Sequence, residues 1–498
     1  MRWNRVMVAW LLGALAFGGV FHVSRAPAPG LDPDAMSYVG AGESLARTGR
    51  LRIPAADWWE TDSTTALAQF PAGFPAAIAL GIGAGFEPVQ AARMVEAVAA
   101  FGTVVALVLL LQATAGVPAG IIAVLLLAGT PAMFDNYIRV LSEPLFLLGL
   151  TLTLVAMVRR PDRPFLAGLG AAATELVRYA GIAAGAAVLL WAMGRRGTRR
   201  ERFERILEAA LPIGVAHVWW RVRLSVVGAE APPVTHWQRG FAGTLREGGR
   251  TLVEWVTPGM GGGALRVAVA LVVFMAAGVL LRRTLRRMPR DGRATIRRRL
   301  FNAVGLLALC YVVVLLLSRA FVGGGIPFDE RLLSPLFFLA TVSLAACLRI
   351  RWPAWTGPMR GGVFAACLAW TIGGTLLNVD QLDGLQEDGW GYSGRKWQPS
   401  AEQEWLQTEG RQYNLFSNNP MLVYFLTGRP SRELPDTADA EVLRDFRGTL
   451  EEEGGAMVGF DEGYRRMDPA AFLAAVLPLD SLARFEHMTV WVPGKEQH

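Results

Sequence analysis

The chain has 498 residues, of which 52% are hydrophobic and only 18% charged, with a net charge of +7. Its 49 basic residues are all arginine except Lys396 and Lys495, and they gather in short loops between apolar runs, a signature of membrane topology rather than of a nucleic-acid surface. An ordinary soluble protein and a nucleic-acid binder are both excluded, and the chain belongs in a bilayer.

Apolar runs near the roughly 20 residues that a helix needs to cross about 30 Å of hydrocarbon fall at 6–23, 90–112, 118–134, 142–158, 206–223, 264–281, 300–317, 332–348 and 360–378. The first follows Arg2 and Arg5 and precedes Ala26-Pro27-Ala28. Its apolar core is longer than that of a secretory signal, so it reads as an anchor. In the loop 24–89, Asp32 is placed to cap a helix that starts at Pro33, where the missing N–H costs nothing, and Gly49 to end it. Phe70-Pro71-Ala72-Gly73-Phe74-Pro75 then leads into 76–86, which is apolar but too short to cross. It reads as an interfacial element that must pack against other helices, because unpaired backbone cannot face lipid.

The longer run 164–194 has Arg159-Arg160-Pro161-Asp162-Arg163 before it and Arg195-Arg196 after it, which predicts a tight hairpin of short helices turning near Arg178. Alternating the spans puts the arginine clusters on one side, so the positive-inside rule predicts a cytoplasmic N-terminus and external loops at 24–89, 224–262 and 318–331. The tail from about 380 then emerges outside. It carries helical periodicity at 401–410, 419–427, 438–453 and 468–477 and strand-like runs at Tyr413–Ser417, Ala456–Phe460 and Phe485–Val492, an α/β alternation. The expected fold is therefore an all-α polytopic membrane domain over 1–378, with about eleven crossings, followed by a small extracytoplasmic α/β domain over 379–498.

Asn414-Leu415-Phe416-Ser417-Asn418-Asn419-Pro420 reads as a strand running into a helix start, either a ligand position or simply a strand and its following N-cap. Cys310, Cys347 and Cys367 all fall within spans as packing residues. With no GxGxxG, P-loop or HExxH motif, nothing points to a nucleotide-dependent cytoplasmic enzyme.

Charges inside spans cost roughly 2.5–3.5 kcal/mol each on insertion scales, so their placement is informative. Arg93 and Glu96, Arg139 and Glu143, Glu175 and Arg178, and Asp329-Glu330-Arg331 all map to the outer side. Their i,i+3 and i,i+4 spacings allow plain neutralisation along single helices. Convergence at one depth allows instead a polar, partly positive cavity suited to a phosphate headgroup. Asp32 and Asp34 have local roles as cap and first-turn acid, and their DxD spacing is also a divalent-cation pattern, without a further ligand set in view.

The order of these parts resembles the GT-C superfamily of membrane glycosyltransferases. An anchor span, an external loop with Asp34-Ala35-Met36-Ser37-Tyr38, the Phe70–Pro75 segment, Leu141-Ser142-Glu143-Pro144-Leu145-Phe146, Glu175-Leu176-Val177-Arg178-Tyr179 and Asp329-Glu330-Arg331-Leu332-Leu333-Ser334-Pro335 carry the likeness. The branch most similar is the protein O-mannosyltransferase and lipid A aminoarabinose transferase group. The resemblance implies inverting transfer of a sugar from a polyprenyl-phosphate donor to a glycan, lipid or protein acceptor at the external face of the inner membrane. Asp34 is then the catalytic base, and Asp32, Tyr38, Arg139, Glu143, Arg178, Tyr179 and Arg331 contribute to substrate binding. Arg178 or Arg331 would hold the donor phosphate, with Glu143 structural or acceptor-positioning. Gln69-Phe70-Pro71 stands where the aminoarabinose branch has Glu-Lys-Pro, and Ala35 follows Asp34 where the mannosyl branch has glutamate. The other readings are a transporter or flippase of a lipid-linked saccharide, marked by paired interrupted helices in related halves, and an O-antigen-type polymerase or ligase, marked by a large late loop.

Overall fold

A computed structural model describes residues 2–25, 27, 29–228, 241–288, 292–321, 328–435, 437, 439–461, 473–474 and 477–494. Most of the helix predicted at 468–477 lies outside these residues, as do parts of the loops 224–262 and 318–331. In chain order the helices and strands are α1 (Arg2–Val23), α2 (Pro33–Thr48), β1 (Arg52–Ile53), β2 (Ala55–Ala56), β3 (Thr65–Ala66), α3 (Gly73–Gly83), α4 (Pro88–Thr114), α5 (Val117–Ala128), α6 (Pro131–Ile138), α7 (Glu143–Arg159), α8 (Pro164–Val177), α9 (Ile182–Met193) and α10 (Arg199–Val226). There follow α11 (Phe241–Val256), α12 (Ala264–Arg286), α13 (Gly292–Phe321), α14 (Glu330–Arg351), α15 (Gly357–Asp388), α16 (Ala401–Gln407), β4 (Asn414–Ser417), α17 (Pro420–Thr427), β5 (Ser431–Glu433), α18 (Ala440–Glu452), β6 (Gly455–Phe460), β7 (Leu479–Arg484) and β8 (Met488–Pro493). They form two compact units, the first comprising 1–24, 68–74 and 93–384 and the second 25–67, 75–92 and 385–498.

In the first unit, among the described residues, six helices are long and apolar enough to cross a membrane: α1, α4, α12, α13, α14 and α15. The run 118–134, expected as one straight span, is instead broken into α5 and α6 at an angle of 72°. Pro131 opens α6, and the residue before a proline is pushed out of the helical region, as the extended Thr130 shows. A break in hydrocarbon strands carbonyls that no water can reach. Here the Thr130 hydroxyl donates to the Leu126 carbonyl (2.6 Å), and α15 adds Trp370 Nε1 on the same carbonyl (3.3 Å) and Asn378 Nδ2 on that of Ala128 (3.0 Å). The predicted hairpin turns as expected, α8 ending at Val177 and α9 starting at Ile182 around an extended Arg178 and the 3-10 turn Tyr179–Gly181. Leucine, alanine and phenylalanine side chains from α4 to α14 make one continuous core.

The second unit is built on a six-stranded sheet in the order β2-β5-β4-β6-β8-β7. Strands β2, β5, β4 and β6 run parallel, whereas β8 and β7 are antiparallel additions. All six residues of β6 are buried, as a central strand covered on both faces requires. Phe416, Leu443, Phe446, Leu450 and Met457 pack under α18. The single strand predicted at Phe485–Val492 is the second arm of a hairpin whose turn spans 485–487, Phe485 N–H bonding back to Met488 O (2.8 Å). Strand β2 comes from the segment after the first helix and pairs Ala55 with Ser431. Arg432 secures that segment, its guanidinium donating to the carbonyls of Trp58 and Glu60, pairing with Glu453 and stacking over Phe416 at 4.3 Å.

The contact between α15 and the end of α5 tolerates no side chain at Gly374, where a Cβ would lie 1.5 Å from the Gly129 carbonyl oxygen, while Gly373 faces open space. Gly374→Ala is expected to cost about 3 kcal/mol, read as a lower melting temperature of the detergent-purified protein, with Gly373→Ala unchanged.

Candidate functional site

In the first unit the site grows from breaks in helices. Between α6 and α7 the chain runs extended through 139–141, and the Leu141 N–H it exposes is taken by the Glu96 carboxylate of α4 at 2.7 Å. Glu96 is fully buried. The link delivers Ser142-Glu143-Pro144, and Glu143 opens α7, where the helix dipole favours a carboxylate and Pro144 forfeits no bond. Glu143 is 2% exposed, so its charge needs partners. It has two of them: Arg178 Nη1 lies 2.5 Å from Glu143 Oε1, and Arg331 Nε binds the same oxygen. Arg178 also donates to the Ser142 hydroxyl at 3.0 Å. Glu143 Oε2 is buried without a hydrogen-bond partner among the described residues.

Both arginines sit where their helices are interrupted. Arg178 closes α8 in extended conformation (φ −147°, ψ 141°), which turns its side chain out of the helical register. Arg331 is in the first turn of α14, whose N-cap is Asp329, Oδ1 accepting from Leu332 N–H at 2.8 Å. Pro335 cannot donate to the Arg331 carbonyl, and the Ser334 hydroxyl does so in its place (2.8 Å), while Tyr311 of α13 donates to the Leu332 carbonyl (2.9 Å). The turn bearing Arg331 is thus fixed from two sides.

The spacings that suggested neutralisation along single helices do not describe these charges. Glu143 pairs with Arg178 and Arg331 rather than Arg139, and Glu175 pairs with His217 Nδ1 (2.6 Å) rather than Arg178. Arg93 stacks over Phe21 at 4.9 Å and donates to the Phe21 carbonyl. The reason is geometric, since Arg139 and Arg178 end their helices in extended conformation and no longer share a helical face with the expected partner. Arg139 bonds instead to Asp135 (3.0 Å), a carboxylate that also accepts from Gln381 (3.3 Å). Tyr179 donates its hydroxyl proton to the Ala68 carbonyl (2.7 Å) and accepts from Trp220 (3.0 Å), so it anchors the segment 68–74. Gly73 completes that anchorage, because a Cβ there would lie 2.6 Å from the Leu176 carbonyl oxygen. Ser142, Asp135, Tyr311 and the Glu175–His217 pair were not foreseen. Only Asp135, four residues before Arg139, left a trace in the spacing.

In the second unit Asp32 caps α2, its carboxylate accepting from Ala35 N–H at 2.7 Å, and Gly49 ends the helix in the left-handed conformation at φ 71°. Asp34 stands half-buried in the first turn, and Tyr38 is 1% exposed. The approach to α2 is fixed by Leu31, which bridges to Gly391 and accepts from Tyr392 N–H at 2.8 Å. Tyr392 in turn donates to Asn419 Oδ1 (2.6 Å), which also caps α17, so 414–420 is a strand running into a capped helix start. Among the described residues no group of three His, Cys, Asp or Glu side chains is arranged to hold a metal ion.

No family profile and no curated protein matches the chain. Solved structures do. ArnT from Cupriavidus metallidurans, a lipid A aminoarabinose transferase solved with undecaprenyl phosphate, aligns with a TM-score of 0.63 at 14% identity over 97% of each chain. The chain shares the fold of that structure. The mycobacterial arabinofuranosyltransferase AftD aligns with all of this chain and 40% of its own, at 17% identity and a TM-score of 0.57. The Archaeoglobus fulgidus oligosaccharyltransferase, solved with a tethered acceptor peptide, gives 0.53 at 11% identity over 91% of this chain and 69% of its own. With this fold and six helices long and apolar enough to cross a membrane among the described residues, the chain is a multi-pass membrane protein.

The clamp predicts an asymmetry in stability. Glu143→Ala leaves two guanidinium groups facing each other and is expected to cost about 3 kcal/mol, whereas Arg331→Gln leaves the Arg178 pair and is expected to cost about 1 kcal/mol. Thermal unfolding of the purified variants by intrinsic fluorescence ranks them.

Proposed function

We propose that this protein is an inverting glycosyltransferase that moves a sugar from a polyprenyl-phosphate donor to a glycan, lipid or protein acceptor on the external side of the inner membrane. The observation that carries the reading is the pair of guanidinium groups of Arg178 and Arg331 gathered on one buried carboxylate, within a fold whose solved example ArnT holds undecaprenyl phosphate. On this reading the N-terminus is cytoplasmic, the chain crosses about eleven times, residues 1–378 form the membrane domain, and 379–498 form an extracytoplasmic α/β domain. A divalent cation at the Asp32–Asp34 spacing is not required by the chemistry below.

The anomeric carbon of such a donor already carries its leaving group. The protein has to orient an acceptor hydroxyl, remove its proton and stabilise the departing phosphate. Asp34 takes the proton as the acceptor oxygen attacks the anomeric carbon from the side opposite the phosphate. The bond from that carbon to the phosphate oxygen breaks with its electron pair, so the polyprenyl phosphate leaves with one more negative charge. Arg178 and Arg331 meet that charge, since a guanidinium fork offers paired donors to phosphate oxygens. Glu143 holds the two guanidiniums in place.

Asp34→Asn is expected to lower turnover by at least 100-fold with polyprenyl-phosphate sugars and purified protein, with unchanged expression and melting temperature; full activity in this variant removes Asp34 from the chemistry. Arg178→Ala is expected to raise the KM for the donor at least tenfold, with a smaller effect on the acceptor. A protein that merely fails to accumulate assigns Arg178 to folding alone.

A further inference from the structure

A polar cavity in the helical unit is not used by the reaction above. Its volume is about 290 Å³, and its walls are the start of α6, the end of α11 with the turn that follows, Arg266 of α12, Glu330 of α14, and Leu377 and Gln381 of α15. Trp255, Glu254, Arg266, Glu330 and Gln381 supply its chemistry.

These side chains differ in how far they are already committed. Glu254 accepts from Arg250 at 3.0 Å and faces Arg266 at 3.9 Å, while Arg266 donates to the Thr257 hydroxyl at 3.0 Å. Trp255 is 4% exposed and packs edge-on against Phe337 at 5.2 Å, yet its indole N–H has no acceptor among the described residues. A buried donor of that kind has lost water without gaining a partner, which a ligand oxygen would repair. Glu330 lies half-buried with neither hydrogen bond nor ion pair among the described residues.

We infer that this cavity binds an uncharged sugar ring, the ring of the acceptor. An anion would meet Glu254 and Glu330, and a cation would meet Arg266. A neutral polyol is met by carboxylate acceptors, guanidinium and indole donors and the apolar surface of Trp255, and its hydroxyl groups satisfy both kinds of partner. The volume stands at the small end of ligand sites, which start near 300 Å³, and suits one ring. A ring esterified to phosphate is disfavoured by the two carboxylates, which separates this subsite from the donor's. The first turn of α14 links the two places, because Glu330 lines the cavity while its neighbour Arg331 grips Glu143. The assignment to the acceptor rests on the glycosyltransferase reading; the binding of a neutral ring does not.

Saturation-transfer NMR on the full-length protein in detergent tests this, with methyl pyranosides and methyl furanosides as neutral probes and glucose 1-phosphate and ethanolamine as charged ones. At least one methyl glycoside is expected to receive saturation, and Glu330→Gln and Trp255→Phe each to reduce it at least fivefold. Both variants should retain the wild-type thermal shift on adding undecaprenyl phosphate. The inference is overturned if no glycoside responds at roughly 10 mM, if the signal is unchanged in both variants, or if only glucose 1-phosphate or ethanolamine gives a variant-sensitive signal. Variant-sensitive glycoside binding without any thermal shift from undecaprenyl phosphate in the wild type would remove the transferase reading and leave the sugar subsite standing.

Discussion

A polar group that leaves regular structure inside hydrocarbon must find a partner within the protein, and this obligation organises the helical unit. Each interrupted helix has a named remedy. The carbonyls stranded by the break between α5 and α6 are met by Thr130, Trp370 and Asn378, the N–H exposed before α7 by Glu96, and the carbonyl released by Pro335 by Ser334. The same breaks turn Arg178 out of its helical register and place Glu143 and Arg331 in the first turns of α7 and α14, so irregular backbone and clustered charge arise together.

The charge clamp follows from that geometry. A lone carboxylate at the depth of Glu143 would carry a desolvation cost of several kcal/mol, which a single surface-style ion pair does not offset. Two guanidinium groups on one oxygen do, and they leave more positive than negative charge on that carboxylate. A phosphate is the complementary group in both charge and hydrogen-bonding geometry. On the proposed function the clamp serves stability without ligand and recognition with it. A clamp of this kind needs two arginines fixed in position, which Ser142, Tyr311 and the Asp329 cap provide.

The second unit shows the same economy. Its sheet takes an edge strand from the segment that follows the first helix, and Arg432 ties that segment to Glu453 and the sheet. The start of α2, with Asp32 as cap and Asp34 in the first turn, is thereby fixed through Leu31 and Tyr392 to the residues of the tail. Asp34 is carried on a supported helix start.

The sequence by itself determined what depends on near neighbours. Apolar length marked six helices long enough to cross a membrane, Asp32-Pro33 with Gly49 marked the limits of α2, the arginines around 164–194 marked the hairpin, and strand runs at 413–417 and 456–460 marked the centre of the sheet. Only the tertiary structure decided which charge meets which. Arg139, Arg178 and Arg331 lie dozens or hundreds of residues from some of the groups they could reach, and a dihedral change at one helix end redirects a side chain by a whole face. The pairing of β2 with β5 was hidden for a related reason, since two alanines carry no alternating pattern and their partner is 376 residues further on. Local periodicity reports the axis of a helix or strand, whereas the partner of a side chain at its end is fixed by packing.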